Sequence, residues 1–262
     1  MTPAAPTAIP ILLYHSVAEQ DDSGYSAFTV TPAAFGEHIR AIEDSGRVAM
    51  TVSELAEALR GARALPARPV LVTFDDGHAE IPVAVELLLG RGLGASVFVT
   101  AGAIESPGMV TRHDLVELSA LGRRVEIGAH SVTHRRLDEL SKQAAEAEIS
   151  VSKRAVENVV LTPVRSFAYP HGAYDRRVRS CVVNAGFTAA AAVKNALSHS
   201  LDDPYALARV TIGARTSARD LECLLAGEGA PRAWAGERAR TRAYRGVRRL
   251  RRRLMRPLAG SP

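Results

Sequence analysis

The stretch Val70-Leu-Val-Thr-Phe-Asp-Asp-Gly-His78 combines a predicted buried strand with two adjacent carboxylates. A short apolar run ends in two adjacent carboxylates and a glycine that lets the chain turn, which is typical of a buried strand. Side chains alternate along a strand, so Asp75 and Asp76 point to opposite sides and need not share a role. Two neighbouring like charges are costly unless a cation compensates them, and a bound metal is the simplest such cation.

Six more strand-like apolar runs accompany Val70–Phe74, and helical patterns lie between most of them. These runs are Ile9–Tyr14, Ala95–Val99, Val125–Ala129, Val164–Ala168, Phe187–Val193 and Leu207–Ile212. Strands that alternate with helices in this way predict a parallel sheet with right-handed crossovers. Seven strands in 262 residues favour an α/β fold, a distorted and incomplete seven-stranded (β/α) barrel, over the alternative of a doubly wound open sheet.

Composition indicates a globular protein. The hydrophobic fraction of 47% is enough for a sizeable core and excludes global disorder. The two cysteines, Cys181 and Cys223, are far apart and outside any CxxC spacing, so neither a disulfide framework nor a cysteine-ligated zinc is expected. The apolar run near the N-terminus is too short for a signal sequence or a membrane span, which predicts a cytoplasmic protein.

The charge divides the chain into a body, residues 1–231, and a C-terminal tail, residues 232–262. The tail holds eleven arginines and one glutamate, a charge of +10, so the total of +5 leaves −5 on the body. Apolar residues recur in the tail at helical spacing: Tyr244, Val247, Leu250, Leu254 and Leu258. An amphipathic cationic helix suits an anionic membrane surface, which would make the protein peripheral at the inner membrane face. A solvated tail, or one docked on the acidic body, is the alternative, and nucleic-acid binding is not expected.

Titratable or turn-forming residues follow four of the predicted strands. His15 follows the first strand, Asp75 and Asp76 the second, His130 the fourth, and Tyr169-Pro-His-Gly172 the fifth. Catalytic groups of (β/α) barrels lie at the carboxyl ends of the strands. These residues are therefore expected at one rim.

His130-Ser-Val-Thr-His134 supplies two imidazoles four residues apart. In one helical turn such residues point the same way, so both rings can reach one ion. Two imidazoles and one carboxylate suit a divalent metal and leave positions open for water and substrate. An isolated pair of this spacing is most often a surface feature, but together with the Asp-Asp strand end it predicts a metal site.

Thr73-Phe-Asp-Asp-Gly77 and His130-Ser-Val-Thr-His134 resemble the first two motifs of the polysaccharide deacetylases, the family with the NodB homology domain (carbohydrate esterase family 4). Ser166-Phe-Ala-Tyr-Pro-His-Gly172 resembles the third motif and is similar to the F-x-Y-P-Y-G form of biofilm-glucosamine deacetylases. Leu12-Leu-Tyr-His-Ser16 matches the segment that opens the same subgroup. The resemblance spans roughly residues 9–215 and implies a NodB-like deacetylase domain within residues 1–231.

The resemblance implies a role for each matching residue. Asp76, His130 and His134 would ligate a divalent metal, with Zn²⁺ favoured over Co, Ni, Fe or Mn. Asp75 would be the general base for the attacking water, and the metal would polarise the N-acetyl carbonyl. The oxyanion would be held by the metal and by a backbone N–H of the third motif, that of His171. Tyr169, Pro170 and Gly172 would shape that substrate-binding loop.

Two departures from the family pattern leave roles open. Ala168 stands where the third motif commonly has an arginine that tethers the base, and Arg165 or Arg209 could replace it. The L-x-H motif that supplies the general acid is absent near the last strand. His15 is the favoured acid, and the other candidates are His171 and His199.

The resemblance implies a metal-dependent hydrolase that removes N-acetyl groups from amino sugars of a polysaccharide or glycoconjugate. A related C–N hydrolase that acts on a non-sugar amide is a second enzyme hypothesis, because the motifs determine the metal and not the substrate. An inactive carbohydrate-binding protein on the same fold is a third hypothesis. The retained Asp75 argues against it, because a structural metal site needs no base.

Overall fold

A curled parallel sheet of seven strands forms the centre of the protein, whose structure is a computed structural model that describes residues 7–19, 26–234, 243 and 246–248. The strands are β1 (Ile11–Tyr14), β2 (Pro69–Phe74), β3 (Ala95–Val99), β4 (Val125–Ala129), β5 (Ser166–Ala168), β6 (Ala189–Ala191) and β7 (Val210–Thr211). Their order is β6-β5-β4-β3-β2-β1-β7, and every neighbouring pair is parallel. The predicted distorted, incomplete seven-stranded barrel is confirmed.

The segment between residues 207 and 211 spans the gap between the two edges of the sheet. Leu207 makes an isolated parallel bridge to Ala191 on β6, whereas Val210 pairs with Leu12 on β1. The chain therefore crosses from one edge to the other over residues 208 and 209. The ladder is interrupted there, which makes the barrel distorted, and the crossing brings Arg209 to a fully buried position.

Seven helices of at least two turns accompany the sheet within the described residues. They are α1 (Pro32–Asp44), α2 (Val52–Leu59), α3 (Ile81–Leu89), α4 (Arg112–Ala120), α5 (Lys142–Val160), α6 (Arg176–Asn184) and α7 (Ala218–Leu225). Short 3-10 turns are Ser26–Phe28, Ala101–Ala103, Gly122–Arg124, Leu137–Glu139 and Pro170–Gly172. Short strands are Ala8–Ile9, Ser16–Val17, Thr29–Val30, Val48–Ala49 and Ser198–His199.

The core has two parts, because most strands of the sheet bury both of their faces. The larger part joins one face of the sheet to residues of α1 and α3–α7. The smaller part includes Leu71, Phe98, Ala168 and Ala191 from the other face, together with residues of α2. Asp75 continues the alternation of Leu71, so its side chain extends from the face that carries the smaller part.

Residues after the body's last helix still contact the body. The backbone of Leu197 accepts a 2.7 Å hydrogen bond from Ala233 and donates a 2.8 Å bond to Pro231. Arg248 Nε donates to Glu139 Oε1 at 2.7 Å. Of the predicted amphipathic face only Val247 is described, with 51% of its surface exposed. Tyr244, Leu250, Leu254 and Leu258 lie outside the described residues.

The division of the chain at residues 231 and 232 stays a prediction. Among the residues that the structure describes, no helix combines the length and the apolar character needed to cross a bilayer.

Candidate active site

Parallel strands bring the predicted site residues to one rim of the sheet. Asp75 and Asp76 follow β2, and His130 follows β4, two strands away in the sheet. His15 follows β1, the neighbour of β2 on its other side. This arrangement results from register alone, since the carboxyl ends of parallel strands meet at the same edge.

Asp76, His130 and His134 converge on one point. Asp76 Oδ1 lies 3.4 Å from His130 Nε2 and 3.2 Å from His134 Nε2. One ligand atom from each residue lies within 4.8 Å of the other two. Asp76 Oδ1 is buried and has no hydrogen-bond donor among the described residues. A carboxylate oxygen and two imidazole nitrogens in this arrangement fit a divalent cation.

Left-handed backbone conformations concentrate in this site. Seven non-glycine residues of the described chain have positive φ, and four of them belong to the site: Asp76 (73°), Ser131 (63°), His134 (55°) and His171 (57°). Such conformations are unfavourable for residues with a Cβ and persist where the surrounding structure imposes them. The backbone is therefore held in a specific shape around the convergent ligand atoms.

The two histidines have different electrostatic environments. His130 Nδ1 lies 2.8 Å from the carbonyl oxygen of Ala168, which can only accept, so Nδ1 carries the proton and Nε2 faces Asp76. Burial lowers the pKa of His130, but the carboxylates of Asp75 and Asp76 outweigh it and the net pKa is raised. Burial and the charge of His130 lower the pKa of His134 to about 4. At neutral pH the His134 ring is therefore neutral, the form that binds metals.

Arg209 holds Asp75 in a two-pronged ion pair inside the barrel. Arg209 Nη1 donates to Asp75 Oδ1 at 2.6 Å, and Nη2 donates to Oδ2 at 2.7 Å. The remaining donors reach Thr73 Oγ1 at 3.3 Å and the Ala192 carbonyl at 3.2 Å, with the Phe98 ring 5.5 Å away. Burial raises the pKa of Asp75, but Arg209 and His130 outweigh it, so the carboxyl stays charged.

The two arginines considered as tethers of Asp75 lie in different places. Arg165 is on the surface, where its Nη1 lies 3.3 Å from Glu57 Oε1, and both side chains are about half exposed. Arg209 alone of the two contacts Asp75. Ala168, where the resembled motif commonly has arginine, is buried in the same part of the core as Phe98. The cation beside Asp75 thus comes from the last strand region.

The three histidines considered as general acid have different surroundings. His15 interacts electrostatically with both Asp75 and Asp76, and burial gives its ring a lowered pKa. The ring also lies 5.1 Å from that of Phe28. His171 is exposed, with its ring 4.5 Å from that of His134. His199 instead bonds with its two ring nitrogens to the backbone of Leu201 and Ala233.

The third-motif loop is shaped by its buried members. Tyr169 is fully buried, donates to the carbonyl of Tyr205 at 2.9 Å and stacks on Tyr174, so its side chain supports the loop from within. Pro170 is also buried. Gly172 has φ 63°, and a Cβ there would lie 2.7 Å from Val193, so only glycine fits. His171 is left as the exposed side chain of the Tyr169–Gly172 segment.

Several residues beside the site were not assigned a role from the sequence. His78 Nε2 lies 3.7 Å from Asp76 Oδ2, and the Thr73 hydroxyl accepts from Arg209. Thr73 and Asp75 are two residues apart along a strand, and this spacing could have indicated that their side chains lie on the same face of the sheet. Glu148 contacts the backbone between the two histidines from α5, the next α-helix in the chain, and no local pattern marks it. His113, in contrast, is exposed and lies near Glu117.

Comparisons with known proteins give the family. Residues 62–190 match the sequence profile of the family described as polysaccharide deacetylase. The putative polysaccharide deacetylase YxkH of Bacillus subtilis (strain 168) is 25% identical over 208 residues, 79% of this chain and 72% of that protein.

Solved structures share the fold. Streptococcus pyogenes deacetylase PplD, in complex with acetate, superposes with a TM-score of 0.75 and 22% identity, covering 83% of this chain and 97% of that one. BC0361, a polysaccharide deacetylase from Bacillus cereus, gives a TM-score of 0.74 with 21% identity, covering 84% and 69%. The strand-end motifs, the family profile and the common fold agree, and residues 62–190 form a domain of the polysaccharide deacetylase family.

Proposed function

We propose that this protein is a metal-dependent hydrolase that removes N-acetyl groups from amino sugars of a polysaccharide or glycoconjugate. Membership of residues 62–190 in the polysaccharide deacetylase family supports the deacetylation of sugar amides. One observation carries the finer proposal: three candidate ligand atoms converge beside a buried carboxylate that an arginine keeps charged. A site for metal binding alone would not need that second carboxylate.

Asp76, His130 and His134 would hold the cation. Two neutral imidazoles and one carboxylate favour Zn²⁺, with Co, Ni, Fe or Mn as alternatives, and they leave positions for water and substrate. The bond from His130 Nδ1 to Ala168 orients the ring and makes Nε2 a better ligand. When bound, a divalent cation supplies Lewis acidity, which polarises a carbonyl and makes water more acidic.

Asp75 would act as the general base. Its carboxylate is 2% exposed, so few waters compete for its oxygens, and its lowered pKa keeps it charged near neutral pH. It would take the proton of the water that attacks the acetyl carbon. Arg209 would be a positioning residue, because its paired N–H groups fix both oxygens of Asp75.

His15 would return a proton to the amine nitrogen that leaves the acetyl group. Its ring is close enough to Asp75 and Asp76 for both carboxylates to raise its pKa against the effect of burial. Burial outweighs both carboxylates and leaves the pKa of the ring lowered, so a protonated His15 ring would give up its proton readily to the amine. On the opposite side, the backbone N–H of His171 would donate to the developing oxyanion.

The third-motif loop supports a class of sugar substrate and does not specify one sugar. Tyr169, Pro170 and Gly172 would keep the third-motif loop at the fixed distance that an N-acetyl group requires, with His171 facing the substrate. The F-x-Y-P-H-G form of this loop supports a substrate similar to that of the biofilm-glucosamine deacetylases.

Acetate release from a panel of N-acetylated sugars tests this function. The wild-type protein with metal restored is expected to release acetate, and Asp75→Asn is expected to bind the metal but to release none. Release by Asp75→Asn at the wild-type rate would contradict the role of the base. A panel without any release by the wild type would contradict the function itself.

The arginine-rich tail, residues 232–262, has two proposed locations. Binding to an anionic membrane surface would make the protein peripheral at the cytoplasmic face. The ion pairs of Arg248 with Glu139 and Asp138 favour the alternative, in which the tail docks on the acidic body. Co-sedimentation with anionic vesicles of the whole chain and of residues 1–231 distinguishes them, since equal binding by both refutes a membrane role for the tail.

A further inference from the structure

The turn between His130 and His134 is held by one carboxylate from another element. Glu148, on α5, accepts hydrogen bonds at Oε2 from the backbone N–H groups of Val132 and Thr133, both at 2.9 Å. Its other oxygen, Oε1, accepts from the hydroxyl of Thr133. A single side chain therefore satisfies two successive backbone donors of this turn.

Three further backbone groups of the turn also have hydrogen-bond partners. The N–H of His134 donates to Ser131 Oγ at 3.0 Å. The carbonyls of Ser131 and Val132 accept from the backbone of Ala101 at 3.0 Å and of Gly102 at 2.9 Å. These carbonyl contacts come from the segment after β3, whereas Glu148 approaches from α5. The turn is thus hydrogen-bonded to two different elements.

These hydrogen bonds matter because the backbone conformation of the turn is intrinsically unfavourable. Ser131 and His134 both have left-handed φ, 63° and 55°, and neither is a glycine. Such conformations persist only where neighbours impose them. The position of the His134 ring relative to Asp76 depends on this backbone, since the Asp76 Oδ1 to His134 Nε2 distance is 3.2 Å. A relaxed turn would carry the ring away from the other two ligand atoms.

We propose that Glu148 is a positioning residue that fixes His134 for metal binding by capping the N–H groups of Val132 and Thr133. The proposal rests on the metal-dependent function argued above. Hydrogen bonding, rather than the charge of the carboxylate, is the essential property, because both oxygens are engaged by donors of the turn. A glutamine at this position keeps an acceptor oxygen, whereas an alanine removes it.

Zn²⁺ titration of the metal-free full-length protein, in competition with a chromophoric chelator, tests this role. Glu148→Ala is expected to bind Zn²⁺ about 10- to 100-fold more weakly, the usual effect of losing a residue that supports a ligand. Glu148→Gln is expected to retain most of the affinity. Glu146→Ala is the matched control on the same helix, because Glu146 is half-buried like Glu148 and its ion pair, at 3.6 Å, is with Lys142 and not with the turn.

Amide hydrogen exchange of the same metal-free proteins measures the protection of the turn's N–H groups independently of the metal. Val132 and Thr133 are expected to exchange faster in Glu148→Ala and unchanged in Glu146→Ala. Wild-type affinity in Glu148→Ala, or an equal loss in Glu148→Gln, would overturn the proposal. A wild type that binds no Zn²⁺ would instead contradict the metal-dependent function, and unchanged exchange in Glu148→Ala would then refute the capping role as well.

Discussion

Replacing Arg209 by methionine tests the structural claim that a buried arginine keeps Asp75 charged. The substitution removes the guanidinium but fills a similar volume. Asp75, which is 2% exposed, then has lost the partner that binds both of its oxygens. Removing one member of a buried ion pair typically costs about 3–5 kcal/mol, because the other charge stays desolvated.

A second estimate of the magnitude comes from protonation. Asp75 can avoid the unpaired charge by taking up a proton, and at neutral pH this costs about 4 kcal/mol for a carboxyl with an ordinary pKa near 3.9. The two estimates agree, so Arg209→Met is expected to lose about 3–5 kcal/mol of unfolding free energy at pH 7. The assay is urea unfolding of the metal-free protein.

The pH dependence of this loss has a definite sign. The folded-state pKa of Asp75 is lowered, so the charged carboxylate stabilises the wild type above the unfolded pKa, and this stability disappears as pH falls through the folded pKa. The difference between wild type and Arg209→Met should therefore be largest near neutral pH and shrink in acid. In Arg209→Met the pKa of Asp75 is expected to rise. The acidic limb of the pH profile of acetate release should therefore move to higher pH.

Two comparisons make the result interpretable. Arg165→Met removes an exposed arginine that pairs with Glu57, and such pairs are worth about 0–1 kcal/mol. The double variant Asp75→Asn, Arg209→Met leaves no unpaired charge and should be more stable than Arg209→Met alone. A loss in Arg209→Met no larger than that in Arg165→Met would show that Arg209 does not stabilise the charge of Asp75.

Two further predictions concern the rim. His15→Ala should lower turnover about 10²- to 10⁴-fold in steady-state kinetics, the usual contribution of a general acid, with Zn²⁺ affinity retained. Near-full turnover would exclude His15 as the acid. Gly172→Ala should cost about 1–3 kcal/mol in urea unfolding, because its Cβ would meet Val193 at 2.7 Å and its φ is 63°. Wild-type stability would show that the third-motif loop can shift.

The strands and the candidate ligands could be predicted from the sequence because they depend on local patterns. Apolar runs gave the seven strands of the sheet, although β7 is shorter than predicted because Leu207 pairs with β6 and residues 208 and 209 cross to the other edge. Parallel register then carried Asp76 and His130 to one rim. The spacing of His130 and His134 predicted that both rings face one ion, but the helical turn assumed for it is wrong, because Ser131 and His134 have left-handed φ.

The environment of Asp75 could not be derived in the same way. Arg165 and Arg209 are equivalent in the sequence, and only the closure of the barrel turns Arg209 inward and leaves Arg165 beside Glu57. Glu148 was missed because its partners lie in a turn that precedes its helix, and backbone donors leave no trace in composition. Strand ends can therefore be predicted from local sequence patterns, whereas the residues that support them depend on how the barrel closes.

The metal dependence of the proposed deacetylase is tested by removing and restoring the metal in one protein sample and measuring acetate release from an N-acetylated amino sugar. A chelator is expected to abolish release, and one equivalent of Zn²⁺ per chain is expected to restore it, because Asp76, His130 and His134 would form one metal site. Acetate release that continues at the same rate in the fully metal-free protein would contradict this metal dependence.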